Sequence, residues 1–314
     1  MAASKKPLIV LMALVQRGDS LPADDVRRSR VSYNVNASGE GIEDPGVTDR
    51  VLAMTGVPQL EWEAFDEYWR KVHGPKILFE EGPEGKDKIT QLLKYYLQQH
   101  RLPGGPTSSY APPYLAKTGT DGHLVPDPSA QVAAYQRPPF DGVAQLAFHT
   151  KDDVKAFFDI GPGKYSDKIV PDEAVFIRGF AFHLAEEHIV VNIGDGRRDP
   201  IILLKLHTRK PEISRAAFLQ RWGGSHAERV QLLQTNGVIK RYAQFHNVGR
   251  REDGLFDEVG NCYDGSAAWS FANMNELEVF LASDAQAEIA QDEFEFCAET
   301  SYFTAINYVI CDNT

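Results

Sequence analysis

Four histidines stand in two matched sets along this chain, and imidazole is the side chain that exchanges a proton near neutral pH. In EAFDEYWRKVHGPKI, Phe65, Trp69 and His73 follow at intervals of four, and in RAAFLQRWGGSHAERV, Phe218, Trp222 and His226 repeat that spacing. Residues four apart share one face of a helix, so each run would set an indole beside an imidazole. Downstream, YLQQH separates Tyr96 and His100 by four residues, and YAQFH does the same with Tyr242 and His246. At that even spacing the two side chains lie on one face of a strand. An imidazole can take a proton from an acidic carbon or hydroxyl and return it. A phenol can polarise a carbonyl or steady a developing oxyanion. The candidate catalytic residues are therefore His73, His226, Tyr96, Tyr242, His100 and His246. The candidate substrate contacts are Trp69, Trp222, Tyr68, His149 and His207. Each histidine has a plainer role open to it, as a hydrogen-bonded core residue that orders a nearby loop, and each tryptophan as packing.

These sets belong to a longer repeat. Asp141-Gly142-Val143-Ala144 with Phe148 answers Asp264-Gly265-Ser266-Ala267 with Phe271, and Asp172-Glu173 with Phe176 answers Asp292-Glu293 with Phe296. Four blocks recurring in one order indicate a duplicated unit. The offset between copies falls from 193 at Pro7/Pro200 to 153 at Trp69/Trp222, and from 146 at His100/His246 to 123 at Asp141/Asp264. The first unit, 1–196, thus carries two insertions, at about 17–58 and 102–139, while the second, 197–314, is compact. Both insertions are rich in Gly, Pro, Ser, Asp and Asn and read as long loops. The stretch from Leu102 to Tyr114, stiffened by prolines and carrying Tyr110 and Tyr114, reads as a lid or as a segment packing on the other copy or a second subunit.

The elements that must position the histidines can be read in both copies. In the second, Ile201 to His207 suits a strand, and a helix follows Pro211 with Phe218, Trp222, His226 and Val230 at helical spacing. Val238 to Val248 suits a second strand and Ser266 to Phe271 a third. Helical sequence from Asn273 to Phe296 and a last strand from Tyr302 to Ile310 complete the unit. The first copy follows the same order in Leu8–Val15, Trp62–His73, Ile89–His100, Val143–Phe148, Lys151–Phe158 and Phe180–Ile193. The order βαββαβ is the ferredoxin-like split unit, an α+β fold. Its sheet carries helices on one face and leaves the other bare, so two units in one chain can bury those faces against each other.

Composition removes several functions. Lys and Arg number 33 against 44 Asp and Glu, a net charge of −11, which argues against nucleic-acid binding because phosphate contacts need clustered cations. The one basic run, Arg27-Arg28-Ser29-Arg30, falls in an insertion. No apolar stretch is long enough to span a bilayer, and the short apolar run after Lys5-Lys6 aligns with a strand rather than a signal peptide. Three cysteines without CxxC spacing read as small buried hydrophobes in a reducing compartment, so the expected location is cytoplasmic. His183 and His188, five apart, fall on opposite strand faces, and HExxH is absent, so no metal is expected. GxxxxGK[ST], GxGxxG and GxSxG are absent too.

The ordered set of Phe-x-x-x-Trp-x-x-x-His, Tyr-x-Gln-x-His, Asp-Gly-x-Ala and Asp-Glu-x-x-Phe resembles the EthD-like family of the dimeric α/β-barrel superfamily. The resemblance covers nearly all of 200–312 and, with interruptions, most of 7–193. It departs at Leu146, where the family often has an aromatic residue, and at Gly223-Gly224. It implies two four-stranded antiparallel sheets packed face to face as a barrel, normally from two chains and here from one. It also implies that each Trp/His helix face meets its own sheet, enclosing a pocket with the Tyr/His strand. Relatives in the superfamily include cofactor-free cyclases, dehydratases, decarboxylases and monooxygenases acting on aromatic or polyketide-like molecules, and some bind haem. The leading expectation is a cofactor-independent lyase or cyclase acting on a hydrophobic small molecule. A cofactor-free monooxygenase on a hydroxyarene, a haem enzyme and a non-catalytic binder stand as alternatives. Monomer and homodimer are both open, and the two pockets are not expected to be equivalent.

Overall fold

The computed structural model describes residues 6–18, 62–78, 88–102, 140–159, 164–194, 196–233 and 237–314, with the short stretches 34–35, 41–42, 107–108, 116–118 and 124–126. Most of both insertions, including the basic run at Arg27–Arg30 and the lid candidate near Tyr110 and Tyr114, lies outside the described residues.

The first half opens with β1 (Ile9–Arg17). Helix α1 follows as three joined segments, Trp62–Tyr68, a π turn at Trp69–His73, and Gly74–Leu78. Strands β2 (Tyr95–Arg101) and β3 (Gly142–Phe148) come next, then α2 (Lys151–Phe158), α3 (Val170–Phe176) and the long β4 (Ile177–Asn192). The second half repeats them as β5 (Ile201–Arg209), α4 (Arg215–Arg221, a π turn at Trp222–His226, Ala227–Leu233), β6 (Arg241–Asn247), β7 (Gly265–Phe271), α5 (Met274–Leu281), α6 (Asp284–Phe296) and β8 (Cys297–Asp312). Side-chain caps fix the helix starts: Thr150 and Asp153 form a reciprocal box on α2, and Ser214, Asn273 and Ser283 each accept a backbone N–H at α4, α5 and α6.

The βαββαβ order holds in both halves, with several boundaries moved. The second strand of the first half begins at Tyr95 rather than Ile89, because residues 88–92 are helical. The last strands run to sixteen residues each: β8 extends well beyond the expected Tyr302–Ile310, while β4 begins three residues before the expected Phe180 and ends at Asn192. That length joins the halves. The antiparallel order β5-β7-β6-β4-β1-β3-β2-β8 closes on itself through β8 and β5. β4 pairs with β1 along one stretch and β6 along another, and β8 likewise serves β5 and β2. The sheets face each other and are also hydrogen-bonded edge to edge, which leaves no open strand edge between them.

Period-two alternation then sorts the side chains. Inward positions such as Val10, Met12, Leu14, Leu204, Phe245 and Phe303 fill the barrel, as expected where eight strands leave a bore only side chains wide. Outward positions pack beneath the helices: Leu11, Leu146 and Tyr96 under α1 and α3, and Leu203, Trp269 and Tyr242 under α4 and α6. Space for a ligand therefore lies outside the barrel, between sheet and helices. Cys262 is exposed, at variance with its expected burial, because it sits on a surface turn; Cys297 is buried and Cys311 partly so. No described helix is long and apolar enough to cross a membrane.

Candidate active site

The Trp/His helix face is shaped by its π turn, a widening often found at functional sites. The Trp69 carbonyl, which accepts from Gly74 N–H, accepts a second bond from Gln98 Nε2 at 3.1 Å. Gln244 Nε2 likewise donates to the Trp222 carbonyl at 2.9 Å. The Asp-Gly pairs have an equally local cause. A Cβ on Gly142 would lie 2.5 Å from the Trp69 ring, and one on Gly265 would lie 2.3 Å from Trp222. Glycine is what lets each indole lie over its strand.

His73 is held by a buried carboxylate. Its Nδ1 lies 2.7 Å from Asp172 Oδ2, while Tyr68 Oη and Lys76 Nζ each donate to Asp172 Oδ1 at 2.7 Å. Burial works to raise the Asp172 pKa, but the hydrogen bond and charge of His73 and the charge of Lys76 outweigh it and hold the carboxyl below its ordinary value. An ionised Asp172 can only accept, so Nδ1 carries the proton and Nε2 is the nitrogen left to meet a substrate.

A cavity of about 340 Å³ opens beside this ring, within the size range of small-molecule sites. Leu11, Ala13, Val15, Ala144 and Leu146 floor it, Trp69 and Phe176 wall it, and the polar contributors are His73, Tyr96, Tyr165 and Glu173. The Tyr96 oxygen accepts from Gln98 Nε2 at 2.7 Å and from the Trp69 indole. Burial pushes its pKa well up, so it stays protonated with its O–H left to donate. Glu173 follows Asp172 on α3 and hydrogen-bonds Tyr165. Burial, with the neighbouring Asp172 charge, lifts its carboxyl to about 7 against the pull of His73 and Tyr165.

The second half fills the same space. Strand registers align Leu11 with Leu203, Ala13 with Lys205, and Leu146 with Trp269. Lys205 Nζ sits 2.8 and 2.9 Å from the two carboxylate oxygens of Glu293, the counterpart of Glu173. Lys205 and His207 pull the Glu293 pKa below its ordinary value despite burial. Trp269 stacks on Tyr242 with ring centroids 3.9 Å apart and lies 5.5 Å from Phe280. His226 Nδ1 keeps its carboxylate, Asp292, at 2.7 Å, but its Nε2 is buried and unpartnered.

Of the residues singled out in the sequence, His73, Trp69 and Tyr96 meet at the cavity, and Tyr68 stands behind them on Asp172. His100 does not line it: the ring stacks on Trp69 at 4.2 Å and bonds Asp66 and Gln98. His246 stacks on Trp222 and bonds Gln244, with burial lowering its pKa to about 3. His207 is buried against Thr300, its pKa also lowered to about 3 by burial. His149 is exposed at the end of β3. Glu173, Tyr165 and Ala13 were not singled out. A signal for Glu173 was present in the Asp-Glu blocks, but the match of Ala13 with Lys205 emerges only from the strand register, which lies one residue off the offset of 193 read at Pro7/Pro200. Among the described cavity residues there is no Lys or Arg, so haem propionates would meet Glu173 and no cation there; these residues do not fit that group.

A family model described as the EthD domain matches residues 57–179 and 210–300. No curated protein matches the sequence. Similar solved structures include an anthrone oxidase-like protein, 9% identical over 100% of this chain and 98% of that one, with a TM-score of 0.47. A chlorite dismutase from Candidatus Nitrospira defluvii in complex with imidazole is 9% identical over 98% of this chain and 93% of that one, with a TM-score of 0.44.

Proposed function

The chain belongs to the EthD domain family, and from that premise we propose that its first half is a cofactor-independent lyase or cyclase that moves protons on a neutral, largely apolar small molecule. The observation that carries this reading is an apolar cavity lined by both Glu173 and His73, the histidine's Nδ1 held by Asp172 at 2.7 Å; burial, which lifts the Glu173 carboxyl to about 7, supports it. Two proton carriers with different surroundings in one cavity are suited to acid and base roles.

In a dehydration, Tyr96 donates to a substrate carbonyl, which acidifies the adjacent carbon. His73 Nε2 takes the proton from that carbon, and the electron pair forms the new double bond as the C–O bond breaks. Glu173 gives its proton to the departing hydroxyl, which leaves as water. The proton on His73 then returns to Glu173 and restores both groups. Aldol-type closure and decarboxylation use the same carbanion. Each positioned acid or base contributes about 10²–10⁴-fold.

The apolar lining also supports a second reading, a cofactor-free monooxygenase, since uncharged dioxygen partitions into such a cavity and would meet the same carbanion. Proton abstraction is common to both and is tested by deuterium exchange at the acidic carbon of 2-tetralone in D2O. The native protein should accelerate exchange, and His73→Ala should reduce it at least about 100-fold; a folded His73→Ala variant exchanging at the native rate refutes both readings. Oxygen uptake with 9-anthrone separates them: the lyase reading expects none, and uptake coupled to product favours the oxygenase.

A further inference from the structure

The wall of the cavity is not made by the first half alone. Of the described residues lining it, all but one come from the first half, and the exception is Leu255, on the segment between β6 and β7. That segment is moored to the first half on both sides of Leu255. On one side, Lys151, at the start of α2, donates to the Val248 carbonyl at 2.7 Å and salt-bridges Asp253. On the other side, Asp257 Oδ2 accepts from the backbone N–H of Phe182, itself a cavity residue, at 3.3 Å, and from Gly260 N–H at 2.6 Å. Gly254, at φ +72, takes the left-handed conformation that turns the chain just before Leu255. Phe180 also lines the cavity and is 41% exposed, which marks the mouth on the side of β4 that this segment crosses.

We propose that Leu255 is a specificity-determining residue: the second half, whose own pocket is filled, supplies the wall that limits how far a fused-ring substrate can extend in the first half's pocket. This rests on the reading of that cavity as the substrate site. Moorings at Asp253 and Asp257 hold Leu255 from two residues on either side, so its side chain acts as a fixed stop rather than as part of a yielding surface.

The test is binding of two neutral phenols followed by their fluorescence, 2-naphthol with two rings and 1-hydroxypyrene with four. Leu255→Trp should weaken 1-hydroxypyrene at least tenfold while changing 2-naphthol less than threefold, and Leu255→Ala should shift the ratio of the two affinities the opposite way. Val259→Ala, on the same segment but outside the cavity lining, should change neither. Leu146→Trp, which fills the cavity as Trp269 does in the other half, should abolish both. Binding that is lost in Leu146→Trp yet indifferent to Leu255, or altered equally for both phenols, overturns this inference alone. Failure of the native protein to bind either phenol overturns the substrate-site reading with it.

Discussion

The two halves share a skeleton and differ in what lies beneath it. Each has a π-turn helix, a histidine held at 2.7 Å by a helix aspartate and a glutamate directly after that aspartate. In the second half, Lys205 neutralises the glutamate and Trp269 occupies the space over the sheet. In the first half, Ala13 and Leu146 stand at those positions and a cavity opens. A buried carboxylate matched by an ammonium is a structural ion pair, whereas on the proposed reading the same carboxyl beside an apolar cavity is free to carry a proton. Two strand positions therefore separate a filled core from an open cavity.

The largest effect should come from disturbing the filled half. Lys205→Met leaves Glu293 buried and unmatched and should cost about 3–5 kcal/mol of stability, measured by urea unfolding. Lys205→Met combined with Glu293→Leu should recover most of that loss. The reciprocal change, Ala13→Lys, should give Glu173 the partner that Glu293 has. Its carboxyl should then fall below the ordinary glutamate range and general-acid activity should drop about 100-fold; unchanged turnover would break the comparison.

Smaller effects follow from the proton on Glu173. The folded protein keeps it up to about 7, whereas an ordinary glutamate releases it near 4.5. The folded state thus binds more protons between those values, and stability falls as pH rises through that window, by about 3 kcal/mol. Glu173→Gln should flatten this part of the curve, with a higher Tm than the native protein at pH 8 and a similar one at pH 4. It should also remove the loss of activity near pH 7 by lowering the rate at every pH. Smallest of all, His226→Ala should change turnover less than threefold, because its Nε2 is sealed in the core.

Much of the skeleton was visible in the sequence because it depends on local rules. Spacing of four placed Trp69 beside His73, and alternation placed Tyr96 on the cavity face; the Asp-Gly pairs were legible as repeated blocks, but their closeness to the indoles is seen only in the structure. His100 obeys the same alternation yet lies behind Trp69, since direction within a face depends on the neighbouring helix. Barrel closure was less visible: the pairing of β4 with β6 and of β8 with β2 joins segments with no local sign of each other. Glu173 is the clearest case. Its proton affinity is raised by burial and the Asp172 charge, and the ammonium that Lys205 supplies to Glu293 has no counterpart at Ala13, some 160 positions away, which no local pattern around Glu173 reveals.

The most direct measurement is the titration of the Glu173 carboxyl itself, taken from the carbonyl-stretch infrared difference between the native protein and Glu173→Gln across pH 4 to 9. A protonated-acid band that disappears with a midpoint near 7, and that moves below 4.5 in Ala13→Lys, is the result expected of an unmatched carboxyl in an open apolar site. A midpoint at the ordinary glutamate value in the native protein would contradict it, because the two halves would then hold equivalent carboxylates and the first would have no acid to offer a substrate.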